Sequence, residues 1–368
     1  MKYNFDKVID RSGTSAEKVE GLKHIWGRTD LIPLWVADMD FATAPFVTDA
    51  IRKRCENEVL GYTGKPDSYY NAIINWVKQR YDLIVTKEVI NFVPGIVPGI
   101  GMAMNCFTQK GDKVMIQPPV YHPFAWVTTR NERTLVINPL RWENGMYRMD
   151  LDAFREQIKG CKLFILCNPH NPGGVVWTEA ELRAIADICY DEKVLVFSDE
   201  IHADLTLPPH THRPFATVSE KARMNSVTFM SPSKAFNMPG LSASHALIFN
   251  EDLRKRFRIY IDAGELDMGH VFAFLSVEAA YSHGTEWLDQ CLAYIQGNID
   301  FVDEFLKKHA PKFKAIRPEA SYLVWLDCRE LKLSQKDLNE FFVDKAHLAL
   351  NDGEMFGKEG IGFMRLNV

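Results

Sequence analysis

The sequence lacks the features that would place the protein in a membrane, on a nucleic acid or outside the cell. No apolar run approaches the roughly 20 residues of a membrane-spanning helix. The formal net charge of −5 leaves no basic field for a phosphate backbone. The first residues contain no apolar signal-peptide core. We therefore expect a cytoplasmic protein whose partners include neither membranes nor nucleic acid.

Cysteine pairs with metal-binding spacing are also missing. The seven cysteines are odd in number and scattered, and none forms a CxxC pair. Most lie in apolar segments, where a thiol behaves as a small hydrophobic side chain. This pattern predicts reduced cysteines rather than a disulfide framework, and it predicts no metal site.

Strand and helix patterns alternate from residue 112 onward. Short, nearly continuous apolar runs of this kind suit strands that are buried on both faces. Between them, Thr178 and Glu181 have the spacing of a capping box at the start of a helix over residues 178–191. The alternation predicts an α/β fold, with a mostly parallel sheet sandwiched by helices. The apolar runs are KVMIQ (113–117), LFILC (163–167), VLVFS (194–198), VTFM (227–230) and HALIF (245–249).

The pattern changes after about residue 285. A long amphipathic helix is followed by the strand-like SYLVWLD (321–327), a helix from Ser334 and the strand-like GFMRLN (362–367). We interpret residues 46–284 as a large α/β domain, and residues 1–45 plus 285–368 as a smaller α+β domain. Upstream, the sequence predicts an extended segment over 31–45 and helices over about 45–59 and 66–81.

Polar side chains follow three of the predicted strands. Asn171 lies in an Asn/Pro/Gly turn after LFILC, Asp199 follows VLVFS, and Lys234 follows VTFM. Because the carboxyl ends of parallel strands gather around ligand sites, these side chains are expected to lie together. Each signal alone is common in ordinary turns and caps, and a lone lysine in such a loop is usually exposed. It is the occurrence of all three at strand ends that favours a site.

A buried lysine and carboxylate suit the chemistry of pyridoxal 5′-phosphate. An amine near apolar groups has a lowered pKa and can form a Schiff base with the aldehyde of this cofactor. A carboxylate such as Asp199 keeps the ring nitrogen protonated, so that the ring accepts electrons. Hydroxyls of Ser231 and Ser233, with backbone N–H groups of the turn PGIVPGIG (94–101), would hold the phosphate.

Eight stretches make the chain resemble the aspartate-aminotransferase-like (fold type I) pyridoxal-phosphate enzymes. Within them it is similar to the cystathionine β-lyases of the MalY/PatB type, and the likeness covers nearly the whole chain. The resemblance implies a large domain of the pyridoxal-phosphate-dependent transferase type. The stretches are PLWVADMDFATAP (33–45), GYT (61–63), QPPVYHPF (117–124), LCNPHNPGG (166–174), SDEIHADL (198–205), SPSKAFNMPGL (231–241), SYLVWLD (321–327) and GFMRLN (362–367).

Catalytic and cofactor-binding roles follow from this resemblance. It implies that Lys234 forms the Schiff base and moves the Cα proton, that Asp199 pairs with the ring nitrogen, and that Tyr121 stacks on the ring. His202 replaces a tyrosine of many aminotransferases, and it is either a cofactor contact or a packed histidine. The remaining implied contacts are Asn171 at the phenolate oxygen, Ser231, Ser233 and the backbone of Ile96 and Val97 at the phosphate, and Tyr62 at the phosphate of the partner subunit's cofactor.

The resemblance also implies a homodimer with shared active sites and an amino-acid substrate. Arg365 would bind the substrate α-carboxylate in a bidentate fashion, and the backbone at Ala37 would touch the same group. Tyr62 also has a simpler reading as a core aromatic residue.

Three departures from the family pattern are visible. The turn at Asn171 has glycine where threonine or serine is usual. Ser242 stands where many aminotransferases have an arginine, a loss shared by the MalY/PatB type. The chain ends at Val368, so we expect a short C-terminal end.

The predicted activity is that of a C–S β-lyase. Such an enzyme cleaves L-cystathionine or a related cysteine thioether by α,β-elimination, which yields a thiol, pyruvate and ammonia. A pyridoxal-phosphate-dependent aminotransferase acting on an L-amino acid is the alternative, because it shares every step up to removal of the Cα proton. A regulatory pyridoxal-phosphate-binding protein with little activity is the alternative from another class.

Overall fold

A computed structural model describes residues 3–368 of the chain. Over these residues it contains fifteen strands, which form two main sheets and two small strand pairs. The strands are β1 (Ile32–Pro33), β2 (Ile90–Val93), β3 (Lys113–Ile116), β4 (Thr134–Ile137), β5 (Arg141–Glu143), β6 (Met146–Arg148), β7 (Cys161–Cys167), β8 (Leu195–Asp199), β9 (Ser226–Met230), β10 (Ser244–Leu247), β11 (Lys314–Ile316), β12 (Leu323–Asp327), β13 (Leu348–Ala349), β14 (Asn351–Asp352) and β15 (Phe363–Asn367).

The described chain also contains twelve α-helices. No helix there is both long and apolar enough to cross a membrane. The helices are α1 (Glu17–Trp26), α2 (Pro45–Cys55), α3 (Asp67–Tyr81), α4 (Ile96–Phe107), α5 (Pro123–Arg130), α6 (Leu151–Gln157), α7 (Glu179–Asp191), α8 (Glu220–Met224), α9 (Glu251–Ala263), α10 (Val271–His283), α11 (Thr285–His309) and α12 (Gln335–Glu340).

The larger sheet has seven strands in the order β2-β10-β9-β8-β7-β3-β4. The pairs from β9 to β4 are parallel, which confirms the mostly parallel α/β fold. Strand β10 is the exception, since it runs antiparallel to both of its neighbours. Its apolar run reads like the others because β10 is also buried along its whole length. A continuous apolar run in this sequence therefore indicates a buried strand, but it does not indicate whether the strand is parallel to its neighbours.

Local signals in the sequence predicted several element boundaries well. Thr178 caps α7 in a complete capping box, in which its hydroxyl accepts from the N–H of Glu181 and the Glu181 carboxylate accepts from the N–H of Thr178. Helix α2 begins at Pro45 as predicted, but it ends at Cys55, four residues before the predicted end. The residues after Cys55 are exposed and gain no tertiary packing that would extend the helix.

A second, four-stranded sheet has the order β11-β12-β15-β14. Its strands β12 and β15 correspond to the predicted SYLVWLD and GFMRLN runs. The N-terminal part of the chain lies against this C-terminal part, because β1 pairs with β13 and the N–H of Tyr3 donates to the side chain of Gln290. The exact division at residues 45/46 and 284/285 stays a prediction.

Candidate active site

A cavity of about 210 Å³ lies at the carboxyl ends of β7, β8 and β9. Adjacent parallel strands bring these ends together, and Cys167 at the end of β7 lies opposite Asp199 at the end of β8. Nine of the residues expected at the site line the cavity. They are Ala37, Ile96, Val97, Tyr121, Asn171, Asp199, His202, Ser233 and Lys234.

Lys234 projects into this cavity from the turn that follows β9. Its Nζ donates a hydrogen bond to the carbonyl oxygen of Ala37. Burial, followed by the positive charge of Arg365, lowers the pKa of Lys234 to about 8, against the opposing effect of Asp38 and Asp199. A substantial fraction of the amine is therefore neutral near physiological pH, as a nucleophile or a base must be.

Asp199 is the buried carboxyl group of the site. Burial raises its pKa to about 7, although the N–H of Ile201 donates to its Oδ1 at 3.1 Å and Lys234 adds a favourable charge. Glu200 acts in the opposite direction by repulsion. An unpaired buried carboxylate is costly, so Asp199 has a strong tendency to take up a proton or to pair with a cation in the cavity.

The N-terminus of α4 forms one wall of the cavity. Gly95 caps the helix with φ at +153°, a conformation that favours glycine, and Ile96 and Val97 are its first two residues. Backbone N–H groups in the first turn of a helix have no intrahelical acceptor, and the helix dipole favours an anion there. Ser233 lines the same cavity and is buried.

Ser231 lies one step behind the wall rather than in it. Its Oγ donates to the carbonyl of Ala243 at 2.7 Å and accepts from the N–H of Ser233 at 3.1 Å. The single hydroxyl proton is therefore engaged in shaping the turn before Lys234. The Oγ atoms of Ser231 and Ser233 lie 2.9 Å apart, and of these two residues only Ser233 lines the cavity. The direct contact of either hydroxyl with a phosphate stays a prediction.

Asn171 and Arg365 meet although 194 residues separate them in the sequence. Nη1 of Arg365 donates to Oδ1 of Asn171 at 3.1 Å, so that the NH₂ group of this amide is left for the cavity. Nη2 of Arg365 donates to the Trp35 carbonyl at 3.1 Å and to Oδ1 of Asn351. The guanidinium is buried, and within residues 3–368 it forms no ion pair with a carboxylate. Its Nε also has no hydrogen-bond partner there.

His202 and Tyr121 complete the polar lining. Burial lowers the pKa of His202 to about 3, so the imidazole is neutral, and its buried Nδ1 has no partner among the described residues. Because His202 also lines the cavity, this open nitrogen favours the reading of His202 as a ligand contact. Burial raises the pKa of Tyr121, so its phenol keeps its proton.

Three of the expected site residues do not line the cavity: Ser231, Arg365 and Tyr62. Tyr62 is 98% exposed and lies in a groove with Lys65 and Asp267, away from the cavity of its own chain, so it is not a core aromatic residue. Ala37 directs its carbonyl oxygen at Lys234. A carbonyl oxygen repels a carboxylate, so the expected contact with the substrate would have to come from the backbone N–H of this residue.

Comparison of the sequence with known protein families supports the reading of this cavity as an active site. The model for aminotransferase class I and II matches residues 29–368 of the chain. The chain belongs to the aminotransferase class I and II family.

Relatives in this family are similar over nearly their full length. The chain is 39% identical to the cystathionine β-lyase PatB of Bacillus subtilis (strain 168) over 366 residues, which cover 99% of this chain and 95% of that protein. Among solved structures, cystalysin of Treponema denticola with its pyridoxal 5′-phosphate cofactor has a TM-score of 0.96 at 34% identity. The pyridoxal-phosphate-bound C–S lyase of Staphylococcus hominis has a TM-score of 0.92 at 36% identity. Each of these two structural matches covers 100% of this chain and 94% of the solved chain.

Some residues of this aminotransferase-family cavity were not expected from the sequence. Cys167 is the last residue of the predicted strand LFILC, and Ile201 lies two residues after Asp199, so a wider reading of those strand ends would have found them. Pro98 and Pro239 complete the lining. The described chain contains no group of three or more side chains arranged to hold a metal ion.

Proposed function

We propose that this protein is a pyridoxal-phosphate-dependent C–S β-lyase. It cleaves L-cystathionine or a related cysteine thioether to a thiol, pyruvate and ammonia. The observation that carries the proposal is the placement of a lysine of lowered pKa, Lys234, and a buried carboxyl, Asp199, in one cavity. Beside this cavity lies a buried arginine, Arg365, that has no carboxylate partner in the described chain. Relatives with this name or activity support the type of reaction.

The cavity fits the proposed cofactor group by group. The N–H groups of Ile96 and Val97 and the hydroxyl of Ser233 suit a phosphate. Asp199 suits a protonated ring nitrogen. The Nδ1 of His202, which has no hydrogen-bond partner in the described chain, suits a polar contact with a ligand. When bound, pyridoxal phosphate supplies an electron-withdrawing ring that stabilises negative charge at the substrate Cα.

Lys234 and Arg365 have separate tasks toward the substrate. The neutral amine of Lys234 takes the proton from Cα, and the electron pair left behind expels the thiolate from Cβ. Water then converts the remaining unsaturated amine to pyruvate and ammonia. Arg365 binds the α-carboxylate, because a buried guanidinium without a carboxylate partner in the described chain gains most from an anionic ligand.

Pyruvate release from L-cystathionine in the absence of any keto acid is the test of this function. The purified protein loaded with pyridoxal phosphate is assayed for pyruvate, ammonia and free thiol, and we expect all three in equal amounts. A reaction that needs a keto acid and yields a new amino acid would instead identify an aminotransferase. Bound cofactor without turnover of L-cystathionine, either alone or with a keto acid, would favour the regulatory alternative.

A homodimer with shared active sites is the second part of the proposal. Tyr62 is almost fully exposed and does not reach the cavity of its own chain, which supports a contact with the cavity of a second copy. Apolar neighbours of Tyr62, Val59 and Leu60, are also exposed. Exposed apolar groups at one site are typical of an interface.

Complementation between two inactive variants tests the shared site. Lys234→Ala and Tyr62→Ala chains are expected to be inactive or nearly so as homodimers. A heterodimer isolated with two different tags is expected to recover about half of the parental activity, because one of its two sites then has both native residues. Recovery would be absent if each chain built its own site. A Tyr190→Ala chain, which alters another exposed tyrosine, is the matched control for the Tyr62 change.

The state of the cysteines supports a cytoplasmic location. All seven are unpaired in the structure, and five of them are buried. Free thiols persist in reducing compartments.

A further inference from the structure

The backbone over residues 35–39, which we name the carbonyl segment, is held by side chains at every carbonyl oxygen. Five different residues that are distant in the sequence donate to it, besides Lys18. They are Arg365 to Trp35, Asn367 to Val36 and Asp38, Lys234 and Tyr322 to Ala37, and Asn237 to Met39. Lys18, which is buried, adds a bond to the Asp38 carbonyl at 3.1 Å. The segment is therefore a fixed scaffold that contacts both Lys234 and Arg365.

The Ala37 carbonyl is the point where this scaffold touches the reactive amine. It accepts from Nζ of Lys234 and, at 2.9 Å, from the hydroxyl of Tyr322. A carbonyl oxygen has two lone pairs, so the two donors occupy both of them. Tyr322 is fully buried, and burial raises the pKa of its phenol, so it keeps its proton and stays a donor.

The backbone beside Tyr322 is held in an uncommon conformation. Ser321, the preceding residue, has φ at +82°, which non-glycine residues rarely adopt, and its buried Oγ has no partner in the described chain. Local strain of this kind persists only where surrounding structure enforces it, and it is concentrated at functional positions. The backbone strain at Ser321 thus accompanies the position in which Tyr322 is held.

We propose that the Ala37 carbonyl and Tyr322 form a docking site for the ε-amine of Lys234 whenever that amine is not bonded to the cofactor, and that Tyr322 is a positioning residue for the Cα proton transfer. This inference rests on the proposed function only in that Lys234 is the base. The amine takes the proton and becomes an ammonium, while the electrons of the C–H bond stay with the substrate.

Tyr322 also affects how readily the docked amine holds a proton. Its hydroxyl draws electron density from the Ala37 oxygen, which makes that oxygen a weaker acceptor for an ammonium group. The other groups that act on Lys234 are unchanged by a substitution at Tyr322. They are Arg365, Asp38, Asp199 and His202. Removing the hydroxyl should therefore raise the pKa of Lys234.

Exchange of the Cα hydrogen of L-alanine for deuterium tests the proposal in the loaded enzyme. Alanine has no leaving group at Cβ, so exchange reports proton transfer without C–S cleavage. In Tyr322→Phe, we expect the midpoint of the rise in exchange rate with pH to move up by about half a unit to one unit, and the rate near pH 7 to fall about 3- to 10-fold. The KM for alanine should change less than twofold.

Tyr69→Phe is the matched control. It also removes a fully buried tyrosine hydroxyl, but one without a hydrogen-bond partner in the described chain, so its pH profile should equal that of the parent. An unchanged midpoint or a downward shift in Tyr322→Phe would overturn the proposal. If that variant fails to fold, replacement of Tyr322 by 3-fluorotyrosine decides, since this more acidic phenol should move the midpoint downward.

A second readout needs no cofactor chemistry. The full chain, freed of cofactor, is labelled with an acylating reagent at several pH values, and the Lys234 peptide is quantified by mass spectrometry. The labelling midpoint should move upward in Tyr322→Phe and stay unchanged in Tyr69→Phe. If the exchange and labelling midpoints move upward in Tyr322→Phe as expected, but the parent releases no pyruvate from any thioether, the lyase function alone would be contradicted. Identical labelling in both variants would contradict the docking site alone.

Discussion

Replacement of Lys234 by alanine is expected to lower pyruvate formation from L-cystathionine by at least about 1,000-fold. Among the described residues, Lys234 is the one lysine that lines the cavity, and its pKa is lowered, so the change removes the group that can take the Cα proton. Asp199 cannot replace Lys234 as the base, because its carboxyl group pairs with a cation in the cavity under the proposed function. The measurement is kcat for pyruvate release by the cofactor-saturated variant.

Two further readouts separate the loss of a base from general damage. Added methylamine should restore part of the activity of Lys234→Ala, because a small amine fits the space that the side chain leaves. After borohydride reduction, the cofactor mass should be found on the Lys234 peptide of the parent and on no peptide of the variant. Lys336→Ala, which removes an exposed lysine on α12, should have parental activity. Cofactor fixed to another lysine would refute the assignment.

The sequence predicted the centre of the site because its parts follow a rule of local order. Strand ends are visible as the point where an apolar run stops, and in a parallel sheet these ends meet at one edge. Asn171, Asp199 and Lys234 each follow such a run, and the structure places all three around one cavity. Composition and periodicity therefore sufficed to predict that the lysine and the carboxyl lie at one cavity, while their roles there stay predictions.

The outer parts of the site could not be derived in this way. The contact of Arg365 with Asn171 joins two sheets, and no local pattern states which strand of one sheet will face a given turn of the other. Only the resemblance to a family indicated Arg365. The role of Tyr322 was missed for the same reason, since its stretch reads simply as a strand, and its partner Ala37 lies 285 residues away.

Ser231 shows a different limit of sequence reasoning. Its position close to Lys234 in the sequence predicts a ligand contact, which stays a prediction, but short polar side chains in turns also bond to nearby backbone groups. The bond to the Ala243 carbonyl is of that kind. Only coordinates distinguish a hydroxyl that shapes a turn from one that faces a ligand.

Burial of several unbalanced groups in and beside one cavity lowers the stability of the folded chain, and a function in ligand binding explains why these groups are present. Lys234 and Asp199 are both shifted toward their neutral forms, and Arg365 keeps its charge without a carboxylate partner in the described chain. Such groups destabilise the folded state until ligands neutralise them. A protein selected for stability alone would replace them, and their joint presence thus argues for a binding site that ligands complete.

Replacement of Asp199 by asparagine separates the contribution of this carboxyl to activity from its cost in stability. Activity is expected to fall by about 100- to 1,000-fold, because an amide offers no negative charge to a protonated ring nitrogen. Asp199→Glu keeps the charge and should retain more activity than Asp199→Asn, although its longer side chain is misplaced. The measurement is kcat for pyruvate at saturating cofactor, and parental activity in Asp199→Asn would exclude the proposed role.

In contrast to its activity, the stability of the cofactor-free Asp199→Asn chain is not expected to fall near pH 8. Burial raises the pKa of Asp199 from 3.8 to about 7. This group's contribution to the free energy of unfolding is therefore fully present below about pH 4, and it is lost as the pH rises to about 7. Asparagine has no such dependence, so urea unfolding near pH 8 should find the variant at least as stable as the parent. A marked loss of stability there would mean that the Asp199 carboxylate supports the fold itself, and that the fall in activity reports damage rather than chemistry.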